Sequence, residues 1–325
     1  MSWLVTGGAG YIGAHVVRAL ADAGMPPVVI DDLSSGHAEF VPDGIPFVQG
    51  TILDRELLVT TMREHGVVGV IHVAGFKYAG VSVQRPLHTY EQNVEGTRTV
   101  LAAMAEAGVT DIVFSSSAAV FGTPDVPLVT EDLPKRPASP YGESKLIGEW
   151  LLRDQAIATA STDAPLRHTS LRYFNVVGSS DPAVYDSSPH NLFPLVFEAL
   201  LAGKTPKIFG DDYDTPDGTN VRDYVHVGDI AAAHVVAARR LAAGDPIEPA
   251  YNLGSQNGLS VRQIMDAMAR VTGIDFTPEI APRRPGDPDR IVATGELAAR
   301  DLDWANRYTV DEMVRSGWEA RRNAG

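Results

Sequence analysis

Two periodicities alternate along the first half of the chain. Short β-branched or apolar runs at 3–6, 28–30, 47–49, 69–73, 111–115 and 169–173 read as strands. Between them, residues 12–23, 54–65, 86–107 and 141–160 place apolar side chains at helical spacing. Strand–helix alternation with short turns predicts a parallel sheet covered on both faces, because each crossover lays its helix against the sheet. After Asn175 the rhythm breaks, and 178–190 is a Ser-, Asp- and Pro-rich loop. Helices at 192–202, 227–241, 261–271 and 310–321 then mix with short strands near 206–209 and 250–253. The pattern predicts an α/β protein. A Rossmann-type doubly wound parallel sheet spans 1–175 and a second, smaller α/β lobe spans 176–325, with 222–253 a candidate to return to the first.

The chain has 325 residues, enough for one large or two modest domains. A net charge of −14 repels nucleic acid and anionic membrane, so neither is expected as a partner. An anionic ligand must therefore be met by locally placed Arg, Lys or helix N-termini. The absence of cysteine excludes disulfides, Cys-ligated metals and thiol nucleophiles. The strand pattern begins at Trp3 with no basic-then-apolar leader, and no apolar run approaches the ~18 residues of a membrane span. The expectation is a soluble cytoplasmic protein. His15, His72 and His226 lack metal-ligand spacing, and no metal is expected.

Gly7, Gly10 and Gly13 form a G-x-x-G-x-x-G turn between the first strand and the first helix. Glycines there let backbone approach a pyrophosphate, and the helix N-terminus supplies N–H donors and a positive dipole. Asp31 stands 18 residues beyond Gly13, at the end of the second strand. A carboxylate at that position accepts hydrogen bonds from a ribose 2′-OH and repels a 2′-phosphate, which favours NAD over NADP.

Tyr141 and Lys145 make a Y-x-x-x-K pair, and i,i+4 spacing puts both on one helix face. A phenol of pKa about 10 is too weakly acidic to serve as a base at neutral pH. An ammonium ~4 Å away contributes up to roughly 4 kcal/mol at an effective dielectric near 20, about three pK units. At greater separation a positive nicotinamide must supply the difference. The preceding strand ends in Ser115-Ser116-Ser117, at the carboxyl edge where open α/β sheets bind ligands. Ser117 is the candidate hydroxyl to share the substrate proton.

These residues, with NVEGT at 93–97, SPYGESK at 139–145 and LRYFNVVG at 171–178, resemble the extended short-chain dehydrogenase/reductase family. The DYDTPDGT…VRDYVHV block at 212–227 is more specific to its UDP-sugar 4-epimerase branch. The resemblance runs nearly end to end and implies tightly bound NAD and the interconversion of UDP-glucose and UDP-galactose through a 4-keto sugar. Tyr141, Lys145 and Ser117 would be catalytic. Gly7, Gly10, Tyr11, Ile12, Gly13, Asp31, Thr51, Ile52, Ala74, Ser115 and Tyr173 would hold the cofactor, Asn93 supporting its nicotinamide side. Lys77 would reach both the cofactor and the sugar phosphates. Asn175, Asn191 and Leu192 would hold the nucleotide sugar, and Phe209 would pack near the uracil. Arg222 and Arg284 would clamp the diphosphate, Asp287 would take the uridine ribose, and Ile291 would gate the sugar. A homodimer through 86–107 and 141–160 is also implied.

Thr51 stands where the family usually has Asp near the adenine, and Ala119 and Phe121 replace two hydroxyl residues. Sister dehydratases and decarboxylases place acidic residues just after the catalytic Ser/Thr, and Ala118 and Ala119 leave none there. Ile291 leaves the acceptance of N-acetylhexosamine open, and UDP-glucuronate is a further alternative. A non-catalytic nucleotide sensor on the same fold is argued against by intact Ser117, Tyr141 and Lys145.

Overall fold

The computed structural model describes residues 1–284 and 287–324. In chain order the first half comprises β1 (Ser2–Thr6), α1 (Tyr11–Asp22), β2 (Pro27–Asp31), β3 (Phe47–Gln49), α2 (Arg55–Glu64) and β4 (Val67–His72). Short α3 (Ala79–Ser82) and α4 (Pro86–Tyr90) follow, then α5 (Gly96–Ala107), β5 (Asp111–Ser117), α6 (Pro140–Thr159) and β6 (Arg167–Tyr173). The second half begins with β7 (Asn175–Val177), α7 (Leu192–Leu201), β8 (Lys207–Phe209), β9 (Val221–Arg222) and β10 (Tyr224–His226). It continues through α8 (Val227–Ala243), β11 (Ala250–Leu253), β12 (Leu259–Ser260) and α9 (Val261–Thr272). The chain closes with β13 (Glu279–Ala281), β14 (Arg290–Ile291), α10 (Glu296–Leu302) and α11 (Val310–Asn323). None of the described helices is long and apolar enough to cross a membrane.

Seven strands pair in parallel in the order β3-β2-β1-β4-β5-β6-β11. Strand alternation sorts their side chains onto two apolar layers. Trp3 and Val5 pack with Val16, Leu20 and Ala237 on the α1/α8 face, whereas Leu4 and Val28 pack with Leu58, Val100 and Leu152 on the other. Strand order reverses between β1 and β4, so the crevice that binds ligands in such sheets opens there. A separate core of Phe193, Phe197, Met265, Met268, Val314 and Trp318 holds α7, α9 and α11 together.

Two features depart from the sequence pattern. Within the 222–253 stretch expected to return to the first lobe, Ala250–Leu253 is the seventh strand of the main sheet, whereas Arg222 belongs to β9 in a small sheet with β12 and β14. The helical run 86–107 is interrupted by a π-turn over Glu91–Glu95. Such insertions often mark functional sites, and this one carries Asn93.

Candidate active site

The first βα turn is shaped by steric necessity. Gly7 has φ +71°, and a Cβ there would lie 2.7 Å from the Ala74 nitrogen. A Cβ on Gly13 would lie 2.0 Å from the Gly7 carbonyl oxygen. Gly10 is different: its Cβ would meet only that same oxygen, at 3.3 Å, so open space lies over it at the N-terminus of α1. No side chain caps this terminus, which leaves its donors and dipole for an anion. Ile12 packs beneath the turn, and the Tyr11 hydroxyl donates to the Gly178 carbonyl at 2.6 Å.

At the end of β2 the Asp31 carboxylate accepts from the Ala9 and Leu33 backbone nitrogens at 3.0 and 2.9 Å. Burial pushes its pKa up, while those bonds and the Lys77 charge pull it back. The turn, the uncapped helix and this carboxylate fit the diphosphate and ribose of a dinucleotide. Ala74 donates its backbone N–H to the Thr6 carbonyl at the β1/β4 switch. Thr51 turns its hydroxyl to the Leu53 N–H. Two side chains that the resemblance assigns to the cofactor also make contacts within the protein. Ile52 is buried in the core beneath Gly96. Asn93 accepts from the Phe76 N–H at 2.6 Å and donates to the Phe76 carbonyl and the Ser144 hydroxyl. It clamps the loop after β4 to α6.

The N-terminus of α6 is fixed by Ser139, which caps the Gly142 N–H, by Pro140 in the first turn, and by a 3.1 Å bond from the Tyr141 N–H to the Ser82 hydroxyl. No spacing rule in the sequence gave Ser82 a role. In the β5/β6 register Ser117 stands opposite Tyr173. The structure thus gathers Ser117, Tyr141 and Tyr173 at the carboxyl edge of the sheet, with Ser115 and Lys145 just below.

Burial dominates the electrostatics of this cluster. Burial raises the Tyr141 pKa, with the adjacent Ser117 hydroxyl opposing it. The Lys145 ammonium donates to the Ser115 carbonyl at 2.9 Å and lies 5.0 Å from the centre of the Phe114 ring. Desolvation lowers its own pKa to about 8. Through that hydrogen bond the lysine is tied to the end of β5, below the phenol.

Ser116, on the opposite side of the strand, donates to Glu149 at 2.6 Å. Glu149 also holds a buried two-pronged ion pair with Arg172, at 2.8 and 2.6 Å.

In the second lobe Ile291 pairs with Arg222 across β14 and β9. The Arg222 guanidinium donates to the Val221 and Pro288 carbonyls and stands 3.8 Å from Asp287. Arg284 lies 4.1 Å over the Phe209 ring, so cation and aromatic are stacked on one another. Asn175 is exposed beside β10, and its N–H donates to the Asp223 carbonyl. Asn191 donates to Asp186 at 2.8 Å, while Leu192 opens α7 against the second core. The structure does not bring Asn191 or Arg284 to Tyr141 by any hydrogen bond among the described residues. Sequence reasoning also missed Asp223. Its buried carboxylate accepts from Ser255 at 2.9 and 3.0 Å and from Ala293 at 2.9 Å, so it fixes the segment that carries Ile291.

Comparisons with known proteins agree with this architecture. The UDP-glucose 4-epimerase of Azospirillum brasilense is 44% identical over 324 residues, covering 97% of this chain and 91% of that protein. The crystal structure of UDP-glucose-4-epimerase from Stenotrophomonas maltophila with bound NAD and formylated UDP-arabinopyranose superposes with a TM-score of 0.93 at 38% identity, covering 100% of this chain and 98% of that one. The Brucella ovis UDP-glucose 4-epimerase in complex with NAD gives 0.92 at 39%, covering 98% and 97%. With the family profile matching residues 3–254, the chain belongs to the NAD dependent epimerase/dehydratase family.

Proposed function

We propose that the protein is an NAD-dependent UDP-sugar 4-epimerase that interconverts UDP-glucose and UDP-galactose through a 4-keto sugar. The observation that carries this reading is the convergence of Ser117, Tyr141 and Tyr173 at the sheet edge beside an uncapped helix and a clamped Asp31. Gly7, Gly10, Gly13 and Asp31 would hold NAD, which supplies a hydride acceptor and a positive charge near the phenol. Tyr141 takes the proton of the sugar 4-OH as general base, and Ser117 relays it. Lys145 keeps the strand end and helix in register. Tyr173 walls the site. Lys77 and Arg222 hold the diphosphate while the sugar turns, because guanidinium–phosphate bonds are strong and directional. Ala118 and Ala119 supply no carboxylate for elimination.

Residues 1–175 with α8 and β11 form the cofactor domain in this reading, and the rest binds the UDP-sugar. Exposed Leu87, Trp150 and Ile157 on α4 and α6 support a homodimer through those helices. The test is incubation with UDP-galactose, with parallel trials of UDP-N-acetylglucosamine and UDP-glucuronate. UDP-glucose as the product supports the reading. No turnover of UDP-galactose overturns it, and a clear preference for another sugar replaces the substrate while keeping the chemistry.

A further inference from the structure

We propose that Tyr78 is a positioning residue for the diphosphate: with His190 it clasps the cofactor loop to the substrate lobe and so fixes the spacing between Lys77 and Asn191. This rests on the UDP-sugar reading above and extends it to a residue that no motif singled out.

The ring of Tyr78 meets that of His190 edge-on, with centroids 4.7 Å apart, and Ser188 and Asp186 face its hydroxyl. These partners lie more than 100 residues away in the chain, on the segment that leads into α7. Each member of the pair is covalently next to a residue assigned to the ligand. Lys77 precedes Tyr78, and its ammonium lies 5.6 Å from the Tyr78 ring. Asn191 follows His190. On the inner side Tyr78 packs edge-on against Phe76, whose backbone Asn93 grips at both N–H and C=O. A continuous chain of contacts therefore runs from the π-turn through Phe76 and Tyr78 to His190.

The physical need is clear. Lys77 is exposed on a long flexible stem, and Asn191 is exposed at the start of a helix on the other lobe. A ligand that bridges them must otherwise bear the entropy of fixing two lobes at one separation. An edge-on aromatic pair is attractive beyond the area it buries and helps to fix that separation before the ligand arrives.

The test is a double-mutant cycle on the NAD-loaded protein, read as the dissociation constant for UDP by titration calorimetry. This readout does not require turnover, so it stays separate from the choice of sugar and reaction. Tyr78→Ala and His190→Ala are each expected to weaken UDP binding about fivefold. The double variant should be no weaker than either single one, because the two act through one contact. Tyr78→Phe keeps the ring edge and should restore most of the affinity. Bound NAD, read by absorbance, checks that each variant is folded. Unchanged UDP affinity in Tyr78→Ala, or additive losses in the double variant, would overturn the proposal.

Discussion

In the proposed reading the cofactor groove and the substrate grip solve the same problem, holding phosphates in a protein of net charge −14, by different means. The groove uses backbone: a turn that only glycine can make, an uncapped helix, and one carboxylate held by two N–H groups. The grip uses long side chains, Arg222 and Arg284, on or near strands of two or three residues. Backbone sites come with the fold. Side-chain sites need separate fixing, here by a buried carboxylate on Asp223 and by stacking on Phe209. In that reading the first site rests on backbone and the second on side chains.

The comparison can be broken most sharply at the residue between the two. Tyr141→Phe should lower kcat by about 10²–10⁴ while UDP and NAD still bind. Loss of binding together with turnover would make Tyr141 a structural member of both sites.

Acid should separate the lobes next. His15, His72 and His234 lie in or against the main sheet, and burial lowers their pKa values to about 4, about 3 and about 4. His226 at the end of β10 is lowered to about 4. Each binds its proton more readily unfolded, so each contributes stability that is complete above pH 6.5 and lost as pH falls through the folded pKa. At pH 5 each costs about 2 kcal/mol. Asp223 is pushed up to about 6 by burial and acts oppositely, its contribution being present below its unfolded pKa near 4 and lost as pH rises through 6. Four lowered histidines outweigh one raised carboxylate, so a thermal melt at pH 5 should show a lower Tm than at pH 7. An unchanged Tm would place these rings in water.

Gly13→Ala tests the backbone site directly. A Cβ 2.0 Å from the Gly7 oxygen forces the turn apart, at a cost of about 1–3 kcal/mol of stability and most of the bound NAD. Retention of NAD on gel filtration would show that the turn can yield. The smallest effect is expected at the side-chain site. Arg222→Lys keeps the charge but loses the fork, and should raise KM about tenfold with kcat nearly unchanged. A fall in kcat alone would move Arg222 from grip to chemistry.

The cofactor half was legible in the sequence because it depends on local rules. Period-two runs gave its strands, glycine spacing gave the turn, and Asp31 ended a strand. What stayed hidden depends on distant partners. Nothing near Ala250 says that it pairs with Ser170. The i,i+4 spacing of Tyr141 and Lys145 put them on one face, but only the strand beneath decides that the ammonium turns to the Ser115 carbonyl. The resemblance placed Asn93 at the nicotinamide side, but its clamp on Phe76 lies at a π-turn, which no periodicity encodes.

The three consecutive serines of β5 divide their labour across the sheet. Ser115 and Ser117 look toward the chemistry, while Ser116 joins Glu149 and Arg172 behind it. Glu149 sits two turns down α6 from Tyr141, so α6 is fastened to β5 and β6 on the side away from the proposed base. Redesign of the front for a new sugar can proceed freely only while that rear fastening is left alone.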